Sequence, residues 1–248
     1  MPKDSTHFGY QSIPTHAKTP RVGTVFHSVA KHYDLMNDLL SFGLHRLWKR
    51  QAIANLQLEP HHHVLDLAGG TGDLSSLILK KLNEQGRLIF SDINDSMLNI
   101  GRNRLLDEGF VQQFKIVQAN AESLPFPNNA FHRIIIGFGL RNVTHPSLAL
   151  SEMFRVLKPG GRVIILEFSH PRSEQLSRCY NAYSFNVLPW LGKMICNDEA
   201  SYQYLVESIR MHPSQEALKM IMQQAGFEQV DYQNMLDGIV AIHKGFKF

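Results

Sequence analysis

A chain of 248 residues, 44% of them hydrophobic, can bury a full core and lies within the range of a single α/β domain with additions. Its net charge of +3 is mild and excludes the clustered basic footprint of a dedicated nucleic-acid binder, while the two cysteines, Cys179 and Cys196, are too few for a disulfide framework and are not spaced as a zinc site. The N-terminus begins polar and no apolar run reaches the roughly 18 residues of a spanning helix, so neither a signal peptide nor a membrane span is expected.

Taken in chain order, residues 1–58 read as an arm, mostly helical from about Val22, with Phe26, Val29, Tyr33, Met36, Leu39 and Leu40 at helical spacing. It is either an amphipathic helix packed on a sheet or a cover for a substrate. The run His61-His62-His63 is a poor chelate, because adjacent histidines on an extended segment point to alternate sides, and no metal is expected. From residue 64 strands and helices alternate, the pattern of a parallel sheet with helices on both faces. Strands are predicted at Val64–Leu67, Arg87–Asp92, Phe114–Ala119, Arg133–Phe138 and Arg162–Phe168, and helices at Asp73–Asn83, Ser96–Glu108 (capped by Asp95 or Ser96) and Pro146–Leu157. Lys158-Pro159-Gly160-Gly161 reads as a stop signal. A last helix from Ser214 to Gly226 precedes two strands, Glu228–Met235 and Ile239–Lys244, turned at Asp237-Gly238. Between strand and helix lies an insertion, residues 170–213, rich in aromatics and placed where an α/β sheet keeps a ligand lid.

Val64-Leu65-Asp66-Leu67-Ala68-Gly69-Gly70-Thr71-Gly72-Asp73 is a buried strand running into a glycine turn and a helix, which lets backbone approach a nucleotide-like molecule closely. Asp66 would repel a pyrophosphate and attract a ligand carrying an amino group and a sulfonium, which points to S-adenosylmethionine. A nicotinamide cofactor is disfavoured further because Gly70 and Gly72 fit the dinucleotide fingerprint but its third glycine is Ser75. Ligands in such sheets lie beyond the carboxyl ends of the strands. There Asp92 can accept both ribose hydroxyl protons, Asn120-Ala121-Glu122 can border an adenine edge, and Gly137 to Asn142 offers small residues followed by the fixed charge of Arg141 and the amide of Asn142.

These segments, with Asn120-Ala121-Glu122-Ser123-Leu124-Pro125-Phe126, Phe138-Gly139-Leu140-Arg141-Asn142-Val143 and Arg155-Val156-Leu157-Lys158-Pro159-Gly160-Gly161, resemble the class I methyltransferases of ubiquinone and menaquinone biosynthesis. The likeness extends to Tyr33-Asp34-Leu35-Met36-Asn37-Asp38, to Ser41 through Arg50, and to Tyr202 through Pro213, and so covers nearly the whole chain. The resemblance implies a Rossmann-like fold with a mostly parallel seven-stranded sheet and a C-terminal antiparallel hairpin, built as one domain over residues 1–248. It also implies cofactor contacts from Thr71, Asp92, Asn120 and Ala121, added to Asp66, Gly70 and Gly72. Gly137 stands where the family often carries serine; the position counts among the cofactor-binding residues with that hydroxyl contact missing.

The implied substrate is a polyprenylated benzoquinol or naphthoquinol methylated on ring carbon. A phenol with pKa near 10 is ionised to about one part in a thousand at neutral pH, and full stabilisation of its phenolate would recover up to roughly 4 kcal/mol. Arg141 and Asn142 are expected to hold the ring oxygen, with Tyr33 lining the pocket; Tyr33, Asp34, His45, His170 and His212 are the candidate proton relays. A prenyl tail demands access from a bilayer, so a cytoplasmic protein with peripheral membrane contact is expected. A homo-oligomer or a biosynthetic complex stays open. So do three other readings: a nicotinamide oxidoreductase, a non-catalytic adenosylmethionine-binding member of an assembly, and an O- or N-methyltransferase of another small molecule.

Overall fold

The computed structural model describes residues 4–30, 35, 37, 38, 41–187, 190, 193, 194 and 198–248. Its centre is a seven-stranded sheet made of β3 (His63–Leu67), β4 (Arg87–Asp92), β5 (Phe114–Gln118), β6 (Phe131–Gly137), β7 (Leu157–Phe168), β8 (Glu228–Met235) and β9 (Val240–Lys247). The spatial order is β5-β4-β3-β6-β7-β9-β8, parallel throughout except that β9 runs antiparallel to both of its neighbours. The expected fold class therefore holds.

Because successive residues of a strand point to opposite faces, a strand covered on both sides must be apolar at every position. Ile134, Ile135 and Ile136 of β6 are all fully buried. Ile135 joins one core with Val64 and Ile164, while Ile134 and Ile136 join the other with Leu65 and Val163. The first core is closed by helices α2 (His45–Leu56), α3 (Asp73–Leu79), α4 (Asp95–Asp107) and α7 (Glu199–Met211). The second is closed by α5 (Pro146–Val156) and α8 (Gln215–Gln224). Further α-helices among the described residues are α1 (Thr15–Val29) in the arm and α6 (Glu174–Ala182) in the insertion.

Four local expectations are corrected. The arm opens on a hairpin, β1 (Ser5–Phe8) with β2 (Gln11–Pro14), and its helix starts at Thr15 rather than near Val22. Helix α4 is capped by Asn94, whose Oδ1 accepts the Met97 amide at 3.1 Å, rather than by Asp95 or Ser96. Helix α3 ends at Leu79 instead of continuing to Asn83, the chain tightening there through i→i−3 bonds such as Lys81 N–H to Ile78 O. Lys158 to Gly161 forms an irregularity inside β7, since Leu157 pairs with Phe131 and the parallel register resumes at Arg162 opposite Arg133. Among the described residues no helix is long and apolar enough to cross a membrane.

Candidate active site

The carboxyl ends of β3, β4, β5 and β6 frame a cavity of about 760 Å³. Leu67, Ala68 and Gly70 line it from the first strand, Asp92 to Asn94 from the second, Ala119 to Glu122 from the third, and Phe138, Gly139 and Asn142 to Thr144 from the fourth. Helix α1 closes the remaining side through Thr19, Val22, Gly23 and Phe26. Ala68 and Phe138 adopt φ of 52° and 57°, left-handed values that cost energy for a residue with a Cβ and that collect at ligand sites.

The glycine turn is tied to β4 through Asp92. Its Oδ2 accepts the Gly70 amide and its Oδ1 the Asn94 amide, both at 2.9 Å, so one carboxylate fixes the loops after two adjacent strands. Each oxygen keeps a lone pair for a further donor. Burial pushes the Asp92 carboxyl up, and the Asn94 and Gly70 amides pull it back. Gly72 begins α3 with φ 84°, and a Cβ there would lie 3.3 Å from the Gly101 Cα of α4, so the turn admits no side chain at that point. Thr71 is buried within the turn and is not among the residues lining the cavity. Lys49 of α2 pairs with Asp73 at the start of α3, and Arg104 reaches the other oxygen of Asp73 at 2.5 Å.

Asp66 does not reach the cavity. It is fully buried beneath the turn, where Ser75 Oγ–H donates to its Oδ2 at 2.6 Å and its Oδ1 has no hydrogen-bond partner among the described residues. Burial raises its pKa to about 7, with Asp92 adding to the shift. The expected choice of a cationic ligand by this charge is therefore corrected: residue 66 supports the turn, and the carboxylates that border the cavity are Asp92 and Glu122. A carboxyl whose folded pKa lies above its unfolded value near 3.9 weakens the fold as pH rises from about 4 to 7, and the full cost is present above 7. Asp66→Asn removes that cost while keeping an acceptor for Ser75. Thermal melts should show a gain of a few kcal/mol at pH 8 that shrinks toward zero at pH 4; equal melting gains at both values would refute the assignment.

Gly137 is likewise corrected. It faces α3, where a Cβ would stand 2.6 Å from Leu74 Cδ1, so a serine here requires the end of the Leu74 side chain to move, and the position does not border the cavity. Asn120 and Ala121 do border it; Asn120 Oδ1 accepts the Glu122 amide, leaving its own amide nitrogen for a ligand.

Arg141 lies in the short turn Leu140–Asn142 after β6 and is only 5% exposed. Its guanidinium donates to Glu167 Oε1 at 2.7 Å and to Phe138 O at 2.5 Å, and lies 5.6 Å from the Phe168 ring centre. Glu167, at the end of β7, also accepts the Arg141 and Phe168 amides. The expected free charge facing a phenolate is thus already matched by a buried carboxylate. Asn142 does line the cavity, and its Oδ1 accepts the Tyr204 hydroxyl at 3.0 Å. Tyr33 and Asp34 lie outside the described residues. Of the other relay candidates, His45 is hydrogen-bonded to Asp38 at 2.9 Å and His170 to the carbonyl of His212. Burial, with Arg141 nearby, drops the His212 pKa to about 3, which leaves it a weak base.

Sequence reasoning missed Glu167 and the Tyr204–Asn142 bond, and it offered the arm as a cover for substrate rather than as the α1 wall of this cavity. An acid ending a central strand and a glycine inside an amphipathic helix, Gly23, were the available signals. The donor set fits S-adenosylmethionine: an acid with two spare lone pairs, a side-chain amide, small residues, and Gly23, where a Cβ would meet no atom within 4 Å. For a metal, Glu59, His61 and His62 hold ligand atoms within 4.8 Å of one another. His62 Nδ1, however, accepts the Glu59 amide, so Nε2 carries the ring proton and cannot coordinate while that bond stands.

The sequence profile of the ubiE/COQ5 methyltransferase family matches residues 14–247. The ubiquinone/menaquinone biosynthesis C-methyltransferase UbiE of Pseudoalteromonas translucida is 56% identical over 100% of this chain and 98% of that protein. The protein of the same name from Coxiella burnetii is 58% identical over 98% of each chain. Among solved structures, a SAM-dependent methyltransferase from Aquifex aeolicus matches with a TM-score of 0.59 at 16% identity, over 81% of this chain and 89% of that one, a likeness of fold.

Proposed function

The chain belongs to the ubiE/COQ5 methyltransferase family, and on that premise we propose that it methylates a ring carbon of a polyprenylated benzoquinol or naphthoquinol in ubiquinone or menaquinone biosynthesis, with S-adenosylmethionine as donor. The observation that carries the reading is identity of 56–58% along essentially the full length of both chains. When bound, the cofactor supplies an electrophilic methyl group on a sulfonium. In this reading Asp92 accepts the ribose hydroxyls, Asn120 and Ala121 border the adenine, and Gly70 and Gly72 let the turn approach. Thr71 contributes by shaping that turn, and Tyr33 lines the substrate pocket.

Asn142, held by Tyr204, faces the reacting end of the cavity. Arg141 is a positioning residue: its ion pair with Glu167 fixes the turn that presents Asn142. Residues 1–248 act as one catalytic domain, a reading supported by α1 lining the cavity and by α7 sharing a core with β3 and β7. Peripheral membrane contact is supported by exposed Phe42, Trp190 and Met194 beside the cations Arg46 and Lys193 in the arm and insertion.

The test uses vesicles carrying a demethylated prenyl quinol and methyl-labelled cofactor. Label should enter the lipid extract on a ring carbon, and the protein should sediment with the vesicles. Absence of transfer to both ring classes overturns the function, label on a ring oxygen overturns the C-methyl assignment, and full recovery in the supernatant overturns the membrane contact.

A further inference from the structure

Arg141 is paired with Glu167, and the insertion holds another buried guanidinium whose donors are unmet among the described residues. Arg210 ends α7, and its Nε and both terminal nitrogens are buried without a hydrogen-bond partner among the described residues. Its guanidinium lies 5.0 Å from the Tyr180 ring centre and 5.9 Å from that of Phe185. Glu207, one turn back, is engaged by the Tyr10 amide and by Gln203 Nε2. Five donors without an acceptor cost more than two ring faces and a helix C-terminus return. Tyr180 is buried, and the helix that carries Arg210 is joined to the Arg141–Asn142 turn by the Tyr204 hydroxyl bond to Asn142.

Resting on the function proposed above, we infer that Arg210 is a substrate-binding residue whose guanidinium takes a ring oxygen of the quinol beside Tyr180 and Phe185. A guanidinium suits this task, since its planar fork recognises oxygen acceptors while its face rests on aromatic rings. The oxygen completes the donors that the chain leaves unmet, and the positive charge favours its ionised form. Arg210 does not border the cofactor cavity, so its contribution should fall on the quinol alone.

The experiment compares the full-length protein with Arg210→Gln and Arg210→Lys, using a quinol and its methyl ether at the ring hydroxyl. Arg210→Gln should raise the quinol KM at least tenfold and move the acid limb of kcat, which reports ionisation in the bound complex, upward by about one pH unit, with adenosylmethionine affinity within twofold of the parent. Arg210→Lys should recover part of the KM. Binding of the methyl ether should be weakened in the parent but not weakened further in Arg210→Gln, because a shared contact makes the two changes non-additive. An unchanged quinol KM and pH limb in Arg210→Gln, or additive losses in the cycle, overturn the inference while leaving the function standing. Lost adenosylmethionine binding in both variants overturns it also, assigning Arg210 to the scaffold. Parent protein inactive on every quinol is the separate failure of the function itself.

Discussion

Asp92→Ala should raise the dissociation constant of S-adenosylmethionine at least 100-fold while leaving a folded protein. The Asp92 oxygens accept the Gly70 and Asn94 amides at 2.9 Å, and the acid borders the cavity with acceptor capacity left for a ligand. Hydrogen bonds to a charged group are worth about 1.5–3 kcal/mol each, and two of them to ribose hydroxyls amount to roughly two to four orders of magnitude in affinity. The alanine variant also releases the turn from β4, so lost contact and lost preorganisation act in the same direction. Asp92→Asn keeps one acceptor and should fall between the two. Titration calorimetry measures the effect, and affinity within tenfold of the parent in Asp92→Ala would show that the cavity does not hold its ligand through this acid.

The second large effect is expected at the buried pair. Glu167→Gln leaves the Arg141 guanidinium charged and 5% exposed, with its compensating carboxylate gone. Breaking such a pair from one side costs about 3–5 kcal/mol, whereas replacing both partners by apolar residues is often close to neutral. Melting temperature should therefore drop by about 10 °C in Glu167→Gln and largely recover in Arg141→Met/Glu167→Leu. Turnover should not recover, because Glu167 also accepts the Arg141 and Phe168 amides that set the turn carrying Asn142. Calorimetric melts and quinol turnover on the same samples separate the two roles; parental turnover in the double variant would reduce the pair to a structural element.

The centre of the sheet was legible because strands such as β6 and β7 are apolar on both faces. A run such as Ile134-Ile135-Ile136 has no amphipathic alternative, and the glycine turn and Asp92 fall where strand spacing puts them. Environment was not legible. Asp66 and Asp92 are both acids at strand ends, and only packing shows that one is sealed beneath Gly69 while the other borders the cavity. The Arg141–Glu167 pair depends on the register that sets Gly137 beside Leu166, and the Tyr204–Asn142 bond joins residues 62 positions apart. The first hairpin escaped notice for a different reason: Ser-Thr-His-Phe and Gln-Ser-Ile-Pro are too short and polar to alternate, and they gain their apolar cover elsewhere, Phe8 on Tyr204 and Ile13 in the interior.

That hairpin ties the two halves of the reaction together. Phe8 stacks at 4.1 Å on Tyr204, whose helix carries Arg210, and the chain then enters α1, pinned to the turn after β6 by Lys18 donating to Val143 O at 3.1 Å. A molecule that stiffens one flank of this clamp lowers the ordering entropy left for the other. Thermodynamic linkage makes the benefit mutual: whatever factor the methyl donor adds to quinol affinity, the quinol returns to the donor.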